Sequence, residues 1–301
     1  MEHIFLLNPA AGRPDAIRRL VPRIRAASAR TGIPYTLYET KAPGDAERLV
    51  RRCADTGKPY RFYACGGDGT LNDAARGALH RDNIELAAVP CGTGNDFVRN
   101  LGGASRFLDL DAQMRGHAVP LDVITSSDGN IAVNIVNIGF DCNVADGAQY
   151  MKQLAFVSGS LAYWLSLCDE LTRPLGQSMA ISTDDGQMQM GQFLLCAIGN
   201  GGYCGAGFRA LPDADLTDGL LNLSTVRVLP RREMLSLLAR YRDGSYLSHP
   251  LAEQYVRTQT CRRVTIRMPR PMRVSFDGEI TRTDALRLQV DPAAIQFCIP
   301  E

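Results

Sequence analysis

The stretch YRFYACGGDGTLND, residues 60–73, decides how the rest of the sequence is interpreted. It begins as an apolar run typical of a buried strand and ends in a helical pattern. Between them, Gly66, Gly67 and Gly69 leave backbone N–H groups open to a phosphate. Asp68 stands among them, although like charges about 4 Å apart repel by about 4 kcal/mol at an effective dielectric constant of about 20. The stretch is therefore either a tight turn or a site where something between the two anions makes the acid useful.

Outward from this stretch, the first part of the chain alternates between strand and helix patterns. Strands are predicted at 3–8, 34–40, 60–65 and 84–90, and helices at 15–31, 44–56 and 70–80. Pro22 is expected to end the first turn of the first of these helices or to kink it. Such alternation indicates βαβ units and a parallel sheet covered on both faces.

The pattern changes after Asp122. Short strands are predicted at 131–138, 177–183, 188–198, 220–228, 262–268, 272–276 and 286–290, with helices at 148–172 and 231–243. Many strands joined by Gly, Asp and Pro turns indicate an antiparallel sandwich. We therefore predict an α/β domain with a parallel sheet over residues 1–122, followed by a mainly antiparallel β-sandwich domain over 123–301. The last residues of the chain are free to pack back on the first domain.

Composition excludes several classes of protein. The 301 residues are 45% hydrophobic and 22% charged, which is typical of a soluble globular protein with one large or two ordinary domains. The net charge of +1 gives no indication of a nucleic-acid partner or of strong attraction to anionic membranes. The lysines are Lys41, Lys58 and Lys152, so a lysine-based phosphate loop is absent.

Cysteine and histidine usage points to a reducing compartment and gives no zinc site. The nine cysteines form no C-x-x-C pair, and the four histidines have no zinc-ligand spacing. The opening MEHIFLLNP is interpreted as a first strand rather than a signal peptide, and no apolar segment reaches the about 20 residues that span a bilayer. We therefore expect a cytoplasmic protein.

Three loops rich in Gly and Asn each follow a predicted strand directly: NPAAG (8–12), GGDGT (66–70) and PCGTGNDF (90–97). The carboxyl ends of parallel strands share one sheet edge, so these loops are expected to converge on one crevice. Helix N-termini near Thr70 and Asn95 would add dipoles that favour anions. Each loop alone is typical of an ordinary turn. All three in register favour a phosphate-bearing ligand.

The three loops resemble the N-terminal motifs of the diacylglycerol kinase catalytic domain. The whole chain is similar in order and length to soluble bacterial lipid kinases of the YegS type, which are related to sphingosine kinases. The resemblance continues through VNIVNIGFD (133–141), GNGGYCGAG (199–207), LPDADLTDGLLNL (211–223) and FDGE (276–279). It implies a first domain like those of phosphofructokinases and NAD kinases, ATP and Mg²⁺ as cofactors, and a lipid alcohol as acceptor. Asp73 stands where Glu is common in the family and keeps its charge.

The resemblance also implies roles for individual residues. It places beside the nucleotide Asn8, Gly66, Gly67, Gly69, Thr70, Gly92, Thr93, Gly94 and Asn95. It implies that Asp68 meets the phosphate through Mg²⁺, takes the proton of the attacking hydroxyl, or does both. Asp96 and Asp122 would complete a magnesium–water network. From the residues alone, Asp96 is equally an N-cap and Asp122 a residue of a solvated turn.

Two further motifs have both a functional and a structural interpretation. Asp277 in FDGE is interpreted as a hairpin-turn residue, whereas the resemblance makes Glu279 a second candidate general base, competing with Asp68. In PDADLTDG (212–219), the resemblance implies a structural magnesium. Its ligands would be the side chain of Asp218 and backbone oxygens near Asp215 and Leu220. The same residues are as typical of an exposed acidic turn. An EF-hand is excluded, because its twelfth position is a serine.

Two segments are candidates for contact with a lipid or a membrane. A helix at 155–173 is either an amphipathic membrane helix or a packed helix, and its leucine and aromatic positions favour packing. The stretch 257–273 carries six arginines and no acid. It could dock anionic lipid headgroups or form a solvated strand face.

Three functions follow from this reasoning. The first is an ATP-dependent lipid kinase whose lipid substrate is presented at a membrane surface. The second is a soluble-substrate kinase of the NAD kinase type, and the third is a nucleotide- or lipid-binding protein without catalysis. PCGTGNDF together with FDGE favours the first, and four acids near a phosphate argue against the third. No nucleic-acid partner is expected, and peripheral membrane contact or a homodimer is compatible with this interpretation.

Overall fold

The computed structural model describes residues 1–12, 15–151 and 159–301. Two compact units make up the chain: Met1–Val123 with Asp291–Glu301, and Ile124–Val290. Helices α1 to α9 span Ala16–Thr31, Asp45–Ala54, Asp68–Ala78, Ala104–Phe107, Leu110–Arg115, Phe140–Met151, Gly159–Thr172, Arg231–Tyr241 and Pro250–Tyr255. Two 3₁₀ helices span Phe97–Leu101 and Ser245–Ser248.

Strands β1 to β8 span Glu2–Leu7, Tyr35–Glu39, Tyr60–Gly66, Ile84–Pro90, His117–Ser126, Ile131–Ala132, Ile135–Gly139 and Gln177–Thr183. Strands β9 to β15 span Met188–Gly199, Tyr203–Cys204, Phe208–Arg209, Leu221–Arg227, Val256–Cys261, Arg263–Phe276 and Glu279–Ile299.

In the first unit, β1 pairs in parallel with β2 and β3, and β4 pairs in parallel with β3 and with 296–297 of β15. The pairs bring Leu7 beside Cys65 and Gly66 beside Pro90. The carboxyl ends of β1, β3 and β4 therefore lie at one sheet edge. A buried cluster that includes Phe5 and Tyr63 covers one face of this sheet.

Helix α1 continues through Pro22. Of the two effects expected of this proline, an end of the helical run does not occur. A proline in a helix interior costs about 3 kcal/mol. The helix buries Leu20, Ile24 and Ala27 against the sheet. Burial of one large apolar side chain contributes about 1.5–3 kcal/mol, so this face offsets the cost of the proline.

In the second unit, β9 pairs antiparallel with β7, β8 and β12, and β14 pairs antiparallel with β7, β8 and β15. Antiparallel pairs are the majority among the strand pairs of the described residues. The strands predicted at 262–268 and 272–276 form the single strand β14, whose register with β15 shifts between Arg267 and Met272. Two prolines lie in that interval, and proline cannot donate a ladder hydrogen bond.

Part of the predicted helix at 148–172, and of the segment 155–173, lies outside the described residues, which exclude 152–158. The described flanks form α6 and α7. None of the helices in the described part of the chain combines the length and apolarity needed to cross a lipid bilayer.

Candidate active site

Three loops meet at the carboxyl ends of β1, β3 and β4. Asn8 donates from Nδ2 to Oγ1 of Thr70 over 2.9 Å. The N–H groups of Cys91 and Gly92 both donate to the carbonyl oxygen of Gly66, over 2.8 and 3.0 Å. The predicted convergence of the loops 8–12, 66–70 and 90–97 is therefore confirmed.

Glycines allow this close approach. A Cβ on Gly12 would lie 1.9 Å from the carbonyl oxygen of Cys91, and a Cβ on Gly66 would lie 2.1 Å from Thr70 Oγ1. Real Cβ atoms essentially never come within 3.0 Å of such neighbours. Gly12 also has φ of 70°, which other residues rarely adopt. Gly12 was not among the predicted site residues. Its position at the end of NPAAG is the sequence feature from which it could have been predicted.

The N-terminus of α3 faces this junction. The helix begins at Asp68, two residues before the predicted start at Thr70. The structure assigns no acceptor in the described part of the chain to the N–H groups of Gly67 and Gly69. Free N–H groups at the positive end of a helix dipole favour an anion. The second predicted helix start, near Asn95, is instead a short 3₁₀ helix that begins at Phe97.

Asn95 shapes the third loop. Its φ is 51°, its Nδ2 donates to the carbonyl of Gly92 over 2.8 Å, and its Oδ1 accepts from the Gly92 N–H over 3.1 Å. The Gly92 N–H is therefore already engaged, and contact with a nucleotide would require these bonds to be exchanged. Thr93 is exposed beside them, which leaves its hydroxyl accessible.

Asp68 joins the second loop to the third. Its Oδ1 accepts from the N–H of Phe97 and its Oδ2 from the N–H of Asp96, both over 3.1 Å. Burial raises the pKa of the Asp68 carboxyl, and these hydrogen bonds oppose that rise. A carboxylate has about four acceptor positions. The N–H groups of Asn95 and of Asp68 itself also act on this carboxylate, so a proton or a cation at Asp68 would share its oxygens with the N–H groups that it holds.

Asp96 faces the same space as Asp68. A Cβ on Gly94 would lie 3.1 Å from Asp68 Oδ2 and 3.4 Å from Asp96 Oδ2. Asp96 is at the N-cap position, but its side chain makes no capping bond, so the N-cap alternative holds for its position only. Arg99, which was not among the predicted site residues, places Nε 3.3 Å from Asp96 Oδ1.

Asp122 is buried, with only 3% of its surface exposed. Its Oδ1 accepts from the N–H of Ala293 over 2.8 Å, where Ala293 has φ of 51°. The solvated-turn alternative was therefore wrong.

Among residues 1–12, 15–151 and 159–301, no three or more His, Cys, Asp or Glu side chains form a group that could hold a metal ion. Asp68 and Asp96 supply two neighbouring carboxylates beside Gly94, and carboxylate oxygens are ligands that Mg²⁺ prefers.

In the second unit, Asp277 and Gly278 form the two-residue turn of a hairpin, with φ of 49° and 94°, and Phe276 pairs with Glu279 across it. The predicted turn is confirmed. The carboxylate of Asp277 also accepts from three consecutive N–H groups, at 133–135, over 2.7 to 3.1 Å. That role of Asp277 was not predicted from the sequence. Glu279 is exposed, and its predicted role as a base stays a prediction.

The acidic turn at 212–220 is held by local hydrogen bonds. Asp215 Oδ1 accepts from the N–H and Oγ1 of Thr217 over 2.9 and 2.8 Å. Asp218 Oδ1 accepts from the N–H of Leu220 over 2.9 Å. Both aspartates are exposed, which agrees with the acidic-turn alternative. The structural magnesium stays a prediction.

Two family models match the chain. "Diacylglycerol kinase catalytic domain" matches residues 2–126 and "YegS C-terminal NAD kinase beta sandwich-like domain" matches residues 134–299. The predicted order of a catalytic domain followed by a sandwich-like domain is thus confirmed.

Individual proteins show the same likeness. The chain is 30% identical to "Probable lipid kinase YegS-like" of Alcanivorax borkumensis, over 86% of this chain and 84% of that protein. It is 28% identical to "Diacylglycerol kinase" of Staphylococcus carnosus, over 91% of this chain and 87% of that protein. The fold is similar to that of a diacylglycerol kinase from Bacillus anthracis, with a TM-score of 0.68 and 20% identity over 100% of this chain and 97% of that chain.

Proposed function

The chain belongs to the YegS-like lipid kinase family, and we propose that it transfers the terminal phosphate of ATP, with Mg²⁺, to the hydroxyl of a lipid alcohol. The observation that carries this proposal is the meeting of three glycine loops at the N-terminus of α3. Two carboxylates face the space beside Gly94 there. Phosphoryl transfer needs positioning and charge neutralisation more than covalent chemistry by the protein.

Backbone groups are proposed to hold the phosphates. The N–H groups of Gly67 and Gly69 lie at the positive end of α3, and the first loop approaches through Gly12 without a side chain in the way. The Asn8–Thr70 hydrogen bond fixes the first loop to the second. Backbone N–H groups thus supply hydrogen-bond donors for the phosphates in a loop that contains no lysine.

Asp68 and Asp96 are proposed to hold Mg²⁺, which when bound would neutralise the charge that develops on the transferred phosphate. Arg99 balances the charge of Asp96. Asp122 already accepts a hydrogen bond from Ala293. We propose that it shapes the first unit instead of binding the cation directly.

Asp68 and Glu279 are the two candidate proton acceptors for the attacking hydroxyl. Asp68 lies at the N-terminus of α3, among the loops that are proposed to hold the phosphates, and this position favours Asp68. Relatives are named lipid kinase and diacylglycerol kinase, so the proposed acceptor is diacylglycerol or a related amphiphilic alcohol presented at a membrane surface.

The test offers labelled ATP and Mg²⁺ to the full chain with dispersed diacylglycerol, phosphatidylglycerol or a sphingoid base, and with NAD as the soluble acceptor. Asp68→Asn is the blank. Label should enter a lipid extract in a Mg²⁺-dependent manner and should be absent from NAD. Transfer to NAD alone would favour the soluble-substrate kinase. ATP binding without transfer to any acceptor would favour a non-catalytic protein.

A further inference from the structure

Three arginines lie together on an outward face of the second unit. Arg263 and Arg267 are on β14 and Arg287 is on β15, and all three are exposed and line a groove of about 1040 Å³. Thr125, Ser127 and Ser182 also line it and add hydroxyl groups. We name this surface the arginine face.

Strand register explains why these arginines gather. Thr265 pairs with Arg287 across β14 and β15, Arg263 pairs with Gln289, and Arg267 pairs with Ala285. Directly paired residues point to the same side of a sheet, and diagonal neighbours are about 7–8 Å apart. Arg287 is therefore a diagonal neighbour of both other arginines. Long side chains reach each other at that spacing, so one multivalent anion can contact all three guanidinium groups.

The positive charge of this face is only partly balanced locally. Asp184 also lines the groove, and the charge of Arg263 acts on its carboxylate, so three cations face one carboxylate. No ion pair within the described part of the chain includes Arg263, Arg267 or Arg287. The nearby Asp184 accepts from the backbone N–H groups of Arg262 and Arg263 over 3.1 and 3.2 Å. By contrast, Arg273 on the same strand has its Nε 2.7 Å from the carboxylate of Asp146.

An apolar border adjoins the arginines. Met188 and Met190 are 66% and 65% exposed. Met188 pairs with Ser182 and Met190 with Ala180, and β8 in turn pairs with β14. Two exposed methionines are adaptable apolar contacts. Together with three arginines that outnumber the Asp184 carboxylate in the groove, they fit a ligand with a phosphate group and an apolar tail better than a wholly polar polyanion.

We propose that the arginine face binds the phosphate group of an anionic phospholipid in a bilayer, with Met188 and Met190 against its apolar part. Arginine forms bidentate hydrogen bonds with phosphate oxygens, and the hydroxyls supply further donors. The site shares no residue with the loops of the proposed kinase centre and is tested without ATP. Failure of this binding with intact lipid phosphorylation, or the reverse, separates the two proposals.

The test measures sedimentation of the full chain with vesicles of phosphatidylcholine alone and of equimolar phosphatidylcholine and dioleoyl phosphatidate. The wild type should bind the anionic vesicles selectively, and salt should weaken the binding. Each basic residue near an anionic surface contributes about 1 kcal/mol. The variant with Arg263→Gln, Arg267→Gln and Arg287→Gln should therefore bind on the order of 100-fold more weakly.

The matched control changes Arg262, Arg270 and Arg282 to Gln. These exposed arginines belong to the same unit but do not line the groove, and the control removes the same net charge. It should bind within about twofold of the wild type if position matters. Met188→Ser with Met190→Ser should weaken binding without changing its salt dependence.

Several results would overturn the proposal. Equal loss of binding in both triple variants would show attraction by net charge alone. Displacement by free glycerol 3-phosphate would assign the face to a soluble phosphate compound, and equal affinity for a single-stranded oligonucleotide would assign it to a polyanion. Unchanged binding in the methionine variant would show that Met188 and Met190 do not contact the lipid.

Discussion

The Cα of Gly67 lies 2.5 Å from the position that a Cβ on Gly92 would occupy. The backbones of the loops 66–70 and 90–97 are thus in direct contact. The contact is asymmetric, because a Cβ on Gly67 would lie 3.4 Å from the Cα of Gly92, an ordinary contact distance.

This asymmetry predicts different outcomes for two similar substitutions. Gly92→Ala should force the loops apart, destabilise the protein by about 1–3 kcal/mol as overpacking does, and lower kcat/KM for ATP by about tenfold or more because the phosphates are misplaced. Gly67→Ala keeps its N–H and should stay within about 0.5 kcal/mol of the wild type. Thermal unfolding and ATP-dependent kinetics measure both. Equal tolerance of the two alanines would show that the loops are not held at this distance.

Asp68→Asn should lower kcat for lipid phosphorylation by about 10²–10⁴-fold, because it removes the charge and the proton acceptor. The amide can replace only one of the two acceptor oxygens used by Asp96 and Phe97, so Tm should also fall. Steady-state kinetics and thermal unfolding measure the two effects.

Asp109→Asn is the matched control for Asp68. Asp109 caps α5 in the same unit by accepting from the N–H of Ala112 over 3.1 Å, and asparagine caps nearly as well. Its kcat should be unchanged. If Asp68→Asn keeps more than about 5% of the wild-type rate of phosphate transfer, a direct chemical role for Asp68 is excluded.

Glu279→Gln distinguishes the two candidate bases. Glu279 is exposed, and the hairpin turn beside it is held by Asp277, so the substitution should leave Tm unchanged. If Glu279 accepts the proton, kcat should fall by about 10²-fold or more. If Asp68 is the base, the variant should turn over normally.

Stability should decrease as pH rises through the titration of Asp141. Burial raises the pKa of Asp141 to about 6, against the opposing hydrogen bond from the Tyr241 hydroxyl over 2.8 Å. The native state thus binds more protons than the unfolded state between about pH 4 and 6. Relative to the wild type, Asp141→Asn should gain up to about 3 kcal/mol in unfolding free energy from pH 4 to pH 7. Urea unfolding across this range measures the gain, and Tyr241→Phe should extend the wild-type decline to higher pH, because it removes a hydrogen bond that lowers the pKa of Asp141.

The titration of His3 should have the opposite effect: it should lower the stability of the protein as pH falls. Burial, aided by the charge of Arg61, lowers the pKa of His3 to about 4, and its Nδ1 lies 2.7 Å from the Tyr63 hydroxyl. The unfolded state therefore binds more protons between about pH 4 and 6.5, so this contribution to stability is lost as pH falls. His3→Asn should abolish a loss of about 3 kcal/mol over that range. Tyr63→Phe removes only the hydroxyl and should retain the loss. An unchanged pH profile in His3→Asn would contradict the shift.

Local patterns in the sequence were sufficient for much of the fold and for part of the site. The apolar runs placed β1, β3 and β4 to within about two residues, and the order of their glycine loops predicted that these loops share one sheet edge. The Asp277–Gly278 pair predicted its hairpin turn for the same reason, because turn geometry depends on neighbouring residues.

The tertiary structure alone decided how these parts are used. Asp68 accepts from N–H groups 28 and 29 residues away, Asp277 holds a segment more than 140 residues away, and Asn95 engages an N–H that had been expected to face a nucleotide. Arg263, Arg267 and Arg287 meet only because β14 and β15 pair in one register. Periodicity and turn preference act over a few residues. Hydrogen-bond partners and charge neighbours depend on strand register and loop closure across the whole chain, and these do not appear in any local pattern.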